Sequence, residues 1–205
     1  MESSEAQKVI NAFDDHLLKP LIIVALYYGL RRSEILGLKW SAIDFEKDKI
    51  EISHTVLKYG SHFEERDRTK TASSRRILGL IPEVKEVLLS LQEQQKKNKK
   101  ALRKLYMKND YVFTWPDGRI IQPDYVSNAF QKVLKKNKLP KMRFHDLRHS
   151  CASLLYEKGM EIKDIQQWLG HSSISTTSDI YTHISNLHMK NLAESLQGSF
   201  KLAGG

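Results

Sequence analysis

Four short pieces of this chain, far apart in the sequence, hold side chains able to do chemistry. They are Gly29-Leu30-Arg31-Arg32-Ser33-Glu34, Thr69-Lys70-Thr71, His145-Asp146-Leu147-Arg148-His149 and Leu169-Gly170-His171. The last is followed ten residues on by Tyr181, in Tyr181-Thr182-His183. A guanidinium grips paired anionic oxygens, and an imidazole moves protons near neutral pH. A tyrosine phenol, with a pKa of about 10, attacks once a base or nearby cations help it ionise. Taken singly, none of these residues is diagnostic. Arg31 reads equally as a surface arginine and Lys70 as a soluble turn residue. Tyr181, one of eight tyrosines, reads as a core anchor with a wet hydroxyl. His145 and His149, four apart on one helix face, also look like a zinc-binding His-Glu-x-x-His pair with Asp in place of Glu. That site needs a third ligand and a longer carboxylate as base. His171 or His183 could be nominated, but no spacing demands either, so the metal reading ranks second.

In order and together, the pieces resemble the signature of the tyrosine recombinases, or phage-type integrases. That signature runs from an arginine in Gly-Leu-Arg-x-x-Glu through a hairpin lysine and His-x-x-Arg to Leu-Gly-His, with a tyrosine nine or ten residues later. Arg31, Lys70, His145, Arg148, His171 and Tyr181 occupy the six functional positions with the family's preferred residue types. The flanking Ser73-Ser74-Arg75-Arg76 and Ser175-Thr176-Thr177 agree, and the resemblance spans roughly Ala6 to Ser185. It implies a site-specific recombinase that cleaves and rejoins DNA through a 3′-phosphotyrosine, in integration or excision of a mobile element.

The resemblance also implies roles. Tyr181 is the nucleophile, and Arg31 and Arg148 clamp the phosphate because guanidinium is planar and permanently charged. Lys70 protonates the 5′-hydroxyl leaving group, since lysine shifts its pKa readily among other cations. His145 helps move the Tyr181 proton, and His171 donates a hydrogen bond to the transition state. Arg32 competes with Arg31 for the clamp, but the family register selects Arg31. Glu34 either orients the arginines or is a helix-surface acid. His149 and His183 read as packing or helix-end residues. No metal or other cofactor is expected, because arginine, lysine and histidine supply the positive charge.

Composition agrees with such a partner. The 205 residues carry 33 Lys plus Arg against 24 Asp plus Glu, a formal charge of +9. A basic balance suits phosphate binding through counterion release, although lysine also serves solubility. The single cysteine, Cys151, excludes an internal disulfide framework and reads as a small core residue on a buried helix face. The polar, acidic start Met1-Glu2-Ser3-Ser4-Glu5 is no signal peptide, and the apolar run Leu21 to Leu30 is too short to span a bilayer. A cytoplasmic, nucleoid-associated protein of a prokaryotic host is the expectation.

The elements that must position these residues follow from periodicity. Helices are predicted over Glu5–Phe13, Pro20–Tyr28 and Ser33–Leu38, with Trp40 packed behind the third. The alternation Ile50, Ile52, His54, Val56 predicts a strand over Lys49–Val56. A turn at Lys58–Ser61, a polar strand over Phe63–Arg68 and another over Arg75–Leu80 complete a three-stranded antiparallel sheet. Pro82 opens a helix to about Gln95. The basic block Lys96–Lys100, with Arg103 and Lys104, is either a solvated helix end or a phosphate-contacting arm. After a turn at Trp115–Gly118, helices are predicted over Pro123–Lys136, His145–Lys158 and Glu161–Leu169. Two short ones follow, near Thr176–His183 and Ser185–Gln197. The fold class is α+β, mostly α-helical with a small antiparallel sheet, in one domain over residues 1–205.

Members of the resembled family usually carry an N-terminal core-binding domain, for which this chain has no room, so a catalytic fragment is expected. Such a fragment should be a monomer alone and part of a tetramer on double-stranded DNA, with no membrane partner. The C-terminal stretch bearing Leu187, Leu192, Leu196 and Phe200 packs either on its own domain or on the next protomer. A type IB topoisomerase is the enzyme rival, disfavoured by the Leu-Gly-His-to-Tyr motif. A DNA-binding module without catalysis and a metallohydrolase are the other rivals.

Overall fold

A computed structural model describes residues 3–59, 62–66 and 75–170 of the chain. Lys70, His171 and Tyr181 lie outside the described residues. So do the turn at Lys58–Ser61 in part and both short helices expected after Thr176.

The centre of the molecule is the second helix. α1 (Ser3–Ala12) packs on α2 (Lys19–Tyr28), whose Leu21, Ile22, Val24, Ala25, Leu26 and Tyr28 are all buried. A helix apolar nearly all round must be wrapped by others. α5 (Pro123–Lys136) closes one side, where Phe130 stacks on Phe13 and meets Phe144 edge-on. α6 (Asp146–Glu157) lies against α2, and α7 (Ile162–Leu169) against α6. Pro20, near the start of α2, is tolerated because first-turn N–H groups have no helical partner. Gly29 stops the helix in the left-handed region, φ 59°, where residues without Cβ are favoured.

α3 (Arg32–Leu36) follows at once, and a 3-10 turn (Trp40–Ala42) leads into the strands. Trp40 donates its indole N–H to Gln95 Oε1 at 2.9 Å, which ties this turn to α4 (Pro82–Leu102). α4 runs two turns beyond the expected end at Gln95. Gln, Lys and Asn impose no stop signal, and Lys96, Lys97, Lys99 and Lys100 continue it as exposed helical residues.

The sheet is three-stranded and antiparallel as expected, but its strands are not the three expected. β1 (Ile43–Asp44), β2 (Lys49–Ile52) and β5 (Arg76–Gly79) form it in the order β1-β2-β5. The single strand predicted over Lys49–Val56 is broken at Ser53-His54. Its second half, β3 (Thr55–Tyr59), pairs with β4 (His62–Arg66) in a separate two-stranded ribbon. The alternation continues through the break, since Ile50, Ile52 and Val56 are all buried, so periodicity alone does not reveal it. The end of α3 occupies the gap: a Cβ on Gly37 would stand 2.5 Å from the His54 carbonyl oxygen. Trp115–Gly118 forms the expected turn, with Gly118 N–H donating to Trp115 O at 2.8 Å. Among the described residues, no helix is long and apolar enough to cross a membrane.

Candidate active site

The described site residues gather where α2, α3, α6, α7 and β5 converge. Close approach there depends on small groups. A Cβ on Gly29 would lie 2.3 Å from Leu169 Cδ2 and 3.2 Å from Cys151 Cβ. Cys151 is thus a small core residue as read, and burial pushes its thiol up to about 12, far from any reactive range.

Glu34 is the hub. It sits in the first turn of α3, is 2% exposed, and reaches back to accept the backbone N–H of Arg31 at 3.0 Å. That return bond is half of a capping box, with Arg31 at the cap position. The same carboxylate takes Arg31 Nη1 at 2.7 Å, and Arg76 Nη2 and Nη1 at 3.2 and 3.4 Å. Burial pushes its pKa upward, but Arg76 first and Arg31 next outweigh this and hold it below the ordinary value. Of the two readings of Glu34, the buried orienting carboxylate is the one found.

Arg76 is the residue that sequence reasoning missed. Of the pair Arg75-Arg76, β5 points Arg75 outward to Glu51 and Arg76 inward, in step with buried Leu78. The alternation of Arg76, Ile77, Leu78 and Gly79 held that signal, but the inward charge has a reason only once Glu34 is known to be buried.

Three arginines converge on the end of α7. Arg76 Nε donates to Trp168 O at 2.8 Å, Arg148 Nη2 to Leu169 O at 2.7 Å, and Arg31 Nη2 to Gly170 O at 3.1 Å. Terminal carbonyls of a helix lack helical partners and carry partial negative charge, so cations settle there. α7 has no basic residue in its own last turn; the cations come from α3, α6 and β5. Gly170 makes the approach possible. It is left-handed, φ 70°, and a Cβ there would stand 2.6 Å from Arg76 Nη1. The next residue is His171.

Arg148 is 2% exposed, and its Nη1 donates to Gly29 O at 2.6 Å. Burial, then the neighbouring Arg31, push its pKa down to about 9, which leaves it charged at neutral pH. Arg31, with a side chain 34% exposed, is the more open of the two assigned clamp cations. Arg32 is tied elsewhere, donating to Ser127 Oγ at 2.6 Å and Pro123 O at 3.2 Å, so it does not share the cluster.

His145 stands exposed at the start of α6, on the wall of an open groove of about 790 Å³ that also holds Arg32, Lys141 and Arg143. Its ring meets His149 edge-on at 5.2 Å. Burial, then His149, Arg148 and Arg31, lower its pKa, so it is neutral and able to accept a proton at pH 7. Among the described residues, no group of three His, Cys, Asp or Glu could hold a metal ion. The third ligands considered for a metal, His171 and His183, lie outside the described residues. The cluster combines fixed cations, one buried carboxylate and a neutral imidazole beside an open groove, which is equipment for binding an anion and moving a proton.

Comparison with known proteins gives the following. The sequence pattern described as "Phage integrase family" matches residues 1–188. A "Tyrosine recombinase XerC-like" protein of Caldanaerobacter subterraneus subsp. tengcongensis is 32% identical over 96% of this chain and 53% of its own length. The "ICEBs1 integrase" of Bacillus subtilis is 29% identical over 89% of this chain and 49% of its own. The chain spans about half the length of the curated relatives it matches. In fold it is similar to XerA recombinase, with a TM-score of 0.73, 24% identity, and coverage of 95% of this chain and 64% of that one. The corresponding values for the Tn1549 transposon integrase, solved in complex with transposon right end DNA, are 0.76, 24%, 94% and 65%.

Proposed function

The chain belongs to the phage integrase family, and from that premise we propose that it is the catalytic domain of a site-specific recombinase acting on double-stranded DNA. In this reading Tyr181 attacks a backbone phosphorus, the bond to the 5′-oxygen breaks, and a 3′-phosphotyrosine forms. Lys70 gives the leaving oxygen its proton, and His145 takes up the proton of Tyr181. Rejoining is the same step run backwards, with a 5′-hydroxyl displacing the tyrosine. The bond energy is kept in the phosphotyrosine, so no nucleotide cofactor enters.

The observation that carries the proposal is the convergence of Arg31 and Arg148 on the carbonyl end of α7, beside neutral His145. Arg31 reaches this point from 139 positions away in the sequence, and the chain leaves it directly into His171. Arg31 and His171 would meet the two non-bridging oxygens, with Arg148 completing the positive field. The whole enzyme would be about twice as long as this chain, with a further DNA-gripping domain, and would work as a tetramer on DNA. The names of the relatives, among them the integrase of Staphylococcus phage L54a, support movement of a mobile element as its task.

The test is covalent capture. Duplexes tiled across the DNA that flanks the coding region are made with a sulfur-bridged 5′ linkage, which cannot be rejoined once cut. Wild type should become joined to a 3′-phosphate on at least one duplex, and Tyr181→Phe should bind the same duplex without joining. An adduct that persists in Tyr181→Phe, or no adduct on any duplex, overturns the reading.

A further inference from the structure

Arg76 has no part in the chemistry above, yet it joins the site's framework at both Glu34 and the α7 terminus. We propose that Arg76 is a positioning residue for the phosphate clamp. It acts through Glu34 and the α7 terminus to hold Arg31 and the Gly170 turn in place. The proposal rests on the recombinase reading and adds a residue to it.

The geometry is specific. Arg76 is 8% exposed and reaches three segments at once: its own strand β5, the Glu34 carboxylate on α3 and the Trp168 carbonyl on α7. Arg31 is held by two of the same groups, Glu34 and the α7 terminus. Without Arg76 the buried carboxylate would be left to Arg31 alone, which already holds it at 2.7 Å. The two would then neutralise each other, and Arg31 would be drawn off the Gly170 carbonyl that its Nη2 now holds at 3.1 Å. With Arg76 present, three arginines surround the one carboxylate of this cluster among the described residues, two positive charges in excess. That excess matches the charge of a phosphate bearing two developing oxyanions. The planar fork is needed as well as the charge. One guanidinium spans Nε to Trp168 O and both Nη groups to Glu34, whereas a lysine ammonium offers a single point. Gly170 is fitted to the same group, since any Cβ there would strike Arg76 Nη1.

The experiment compares Arg76→Met and Arg76→Lys with wild type, on the duplex that captures wild type. Each is tested with the ordinary scissile phosphate and with a methylphosphonate, whose phosphorus carries no charge. A misplacement of about 1 Å caused far from the chemistry can cost about 100-fold, and a loss of up to about that size is expected for Arg76→Met on the ordinary phosphate. On the methylphosphonate the loss should shrink to a few-fold, because less cationic charge is required. Arg76→Lys should fall between, and rescue only part. Melting curves of all three proteins give the folded fraction, and if Arg76→Met does not fold, Arg76→Lys carries the comparison. An equal loss on both substrates, or no loss on either, refutes the positioning role while leaving the wild-type adduct, and so the recombinase reading, intact. Absence of the wild-type adduct removes both.

Discussion

Replacing Glu34 by Gln should cost this fold more than almost any other single isosteric change. The carboxylate is 2% exposed and its chief partner, the side chain of Arg76, is 6% exposed. Removing one member of a buried ion pair leaves the other charge uncompensated and costs about 3–5 kcal/mol. The Arg31 partner adds little to this figure, because its side chain is a third exposed and well screened. The amide also turns one acceptor into a donor facing Arg76 or the Arg31 backbone N–H. For a domain of this size each kcal/mol shifts Tm by about 2–4 °C, so a drop of roughly 6–20 °C is expected. The pH dependence is a sharper check. The pKa of Glu34 is lower folded than its ordinary value of 4.5, so the folded state binds fewer protons than the unfolded one. Its stabilisation is therefore complete above about pH 4.5 and is lost as pH falls through the folded value. Gln does not titrate. Urea melts of the two proteins should differ by a constant amount from pH 7 to about 5 and converge in more acid solution. A gap under about 1 kcal/mol at pH 7, or one that does not narrow with acid, would refute the account of the hub.

Two further outcomes follow from the same region. Gly29→Ala places a Cβ 2.3 Å from Leu169 Cδ2 at φ 59°. Left-handed strain and overpacking together should lower the stability measured in urea by about 2–5 kcal/mol, and an unchanged midpoint would contradict the packing described. The imidazole of His145 should titrate below 6.5 by NMR, and His149→Ala should move it back upward by removing one of the groups that lower it. Because the folded state then binds fewer protons there than the unfolded chain, this residue's contribution to stability falls as pH drops through 6.5. A His145 titration at or above 6.5 would show that burial and its cationic neighbours do not act on it as stated.

Much of the molecule was legible in the linear sequence because its signals are local. Gly29 stops α2, Pro82 opens α4, Pro123 opens α5, and Gly170 ends α7, each through a backbone property that no neighbour needs to supply. The residue types and order of Arg31, His145, Arg148 and their partners likewise point to a phosphate-handling site from the sequence alone. Tertiary structure alone decided the rest. It broke the strand at Ser53-His54, because the end of α3 claims that space. It buried Glu34 as a hub where the sequence left it open between an orienting and a surface acid, tied Arg32 to Ser127 away from the cluster, and drew Arg76 inward. Each of these outcomes depends on the desolvation of a charge or the exclusion of a Cβ by a segment distant in sequence. A chain read residue by residue carries propensities, whereas burial and pairing of charge exist only between segments brought together in space.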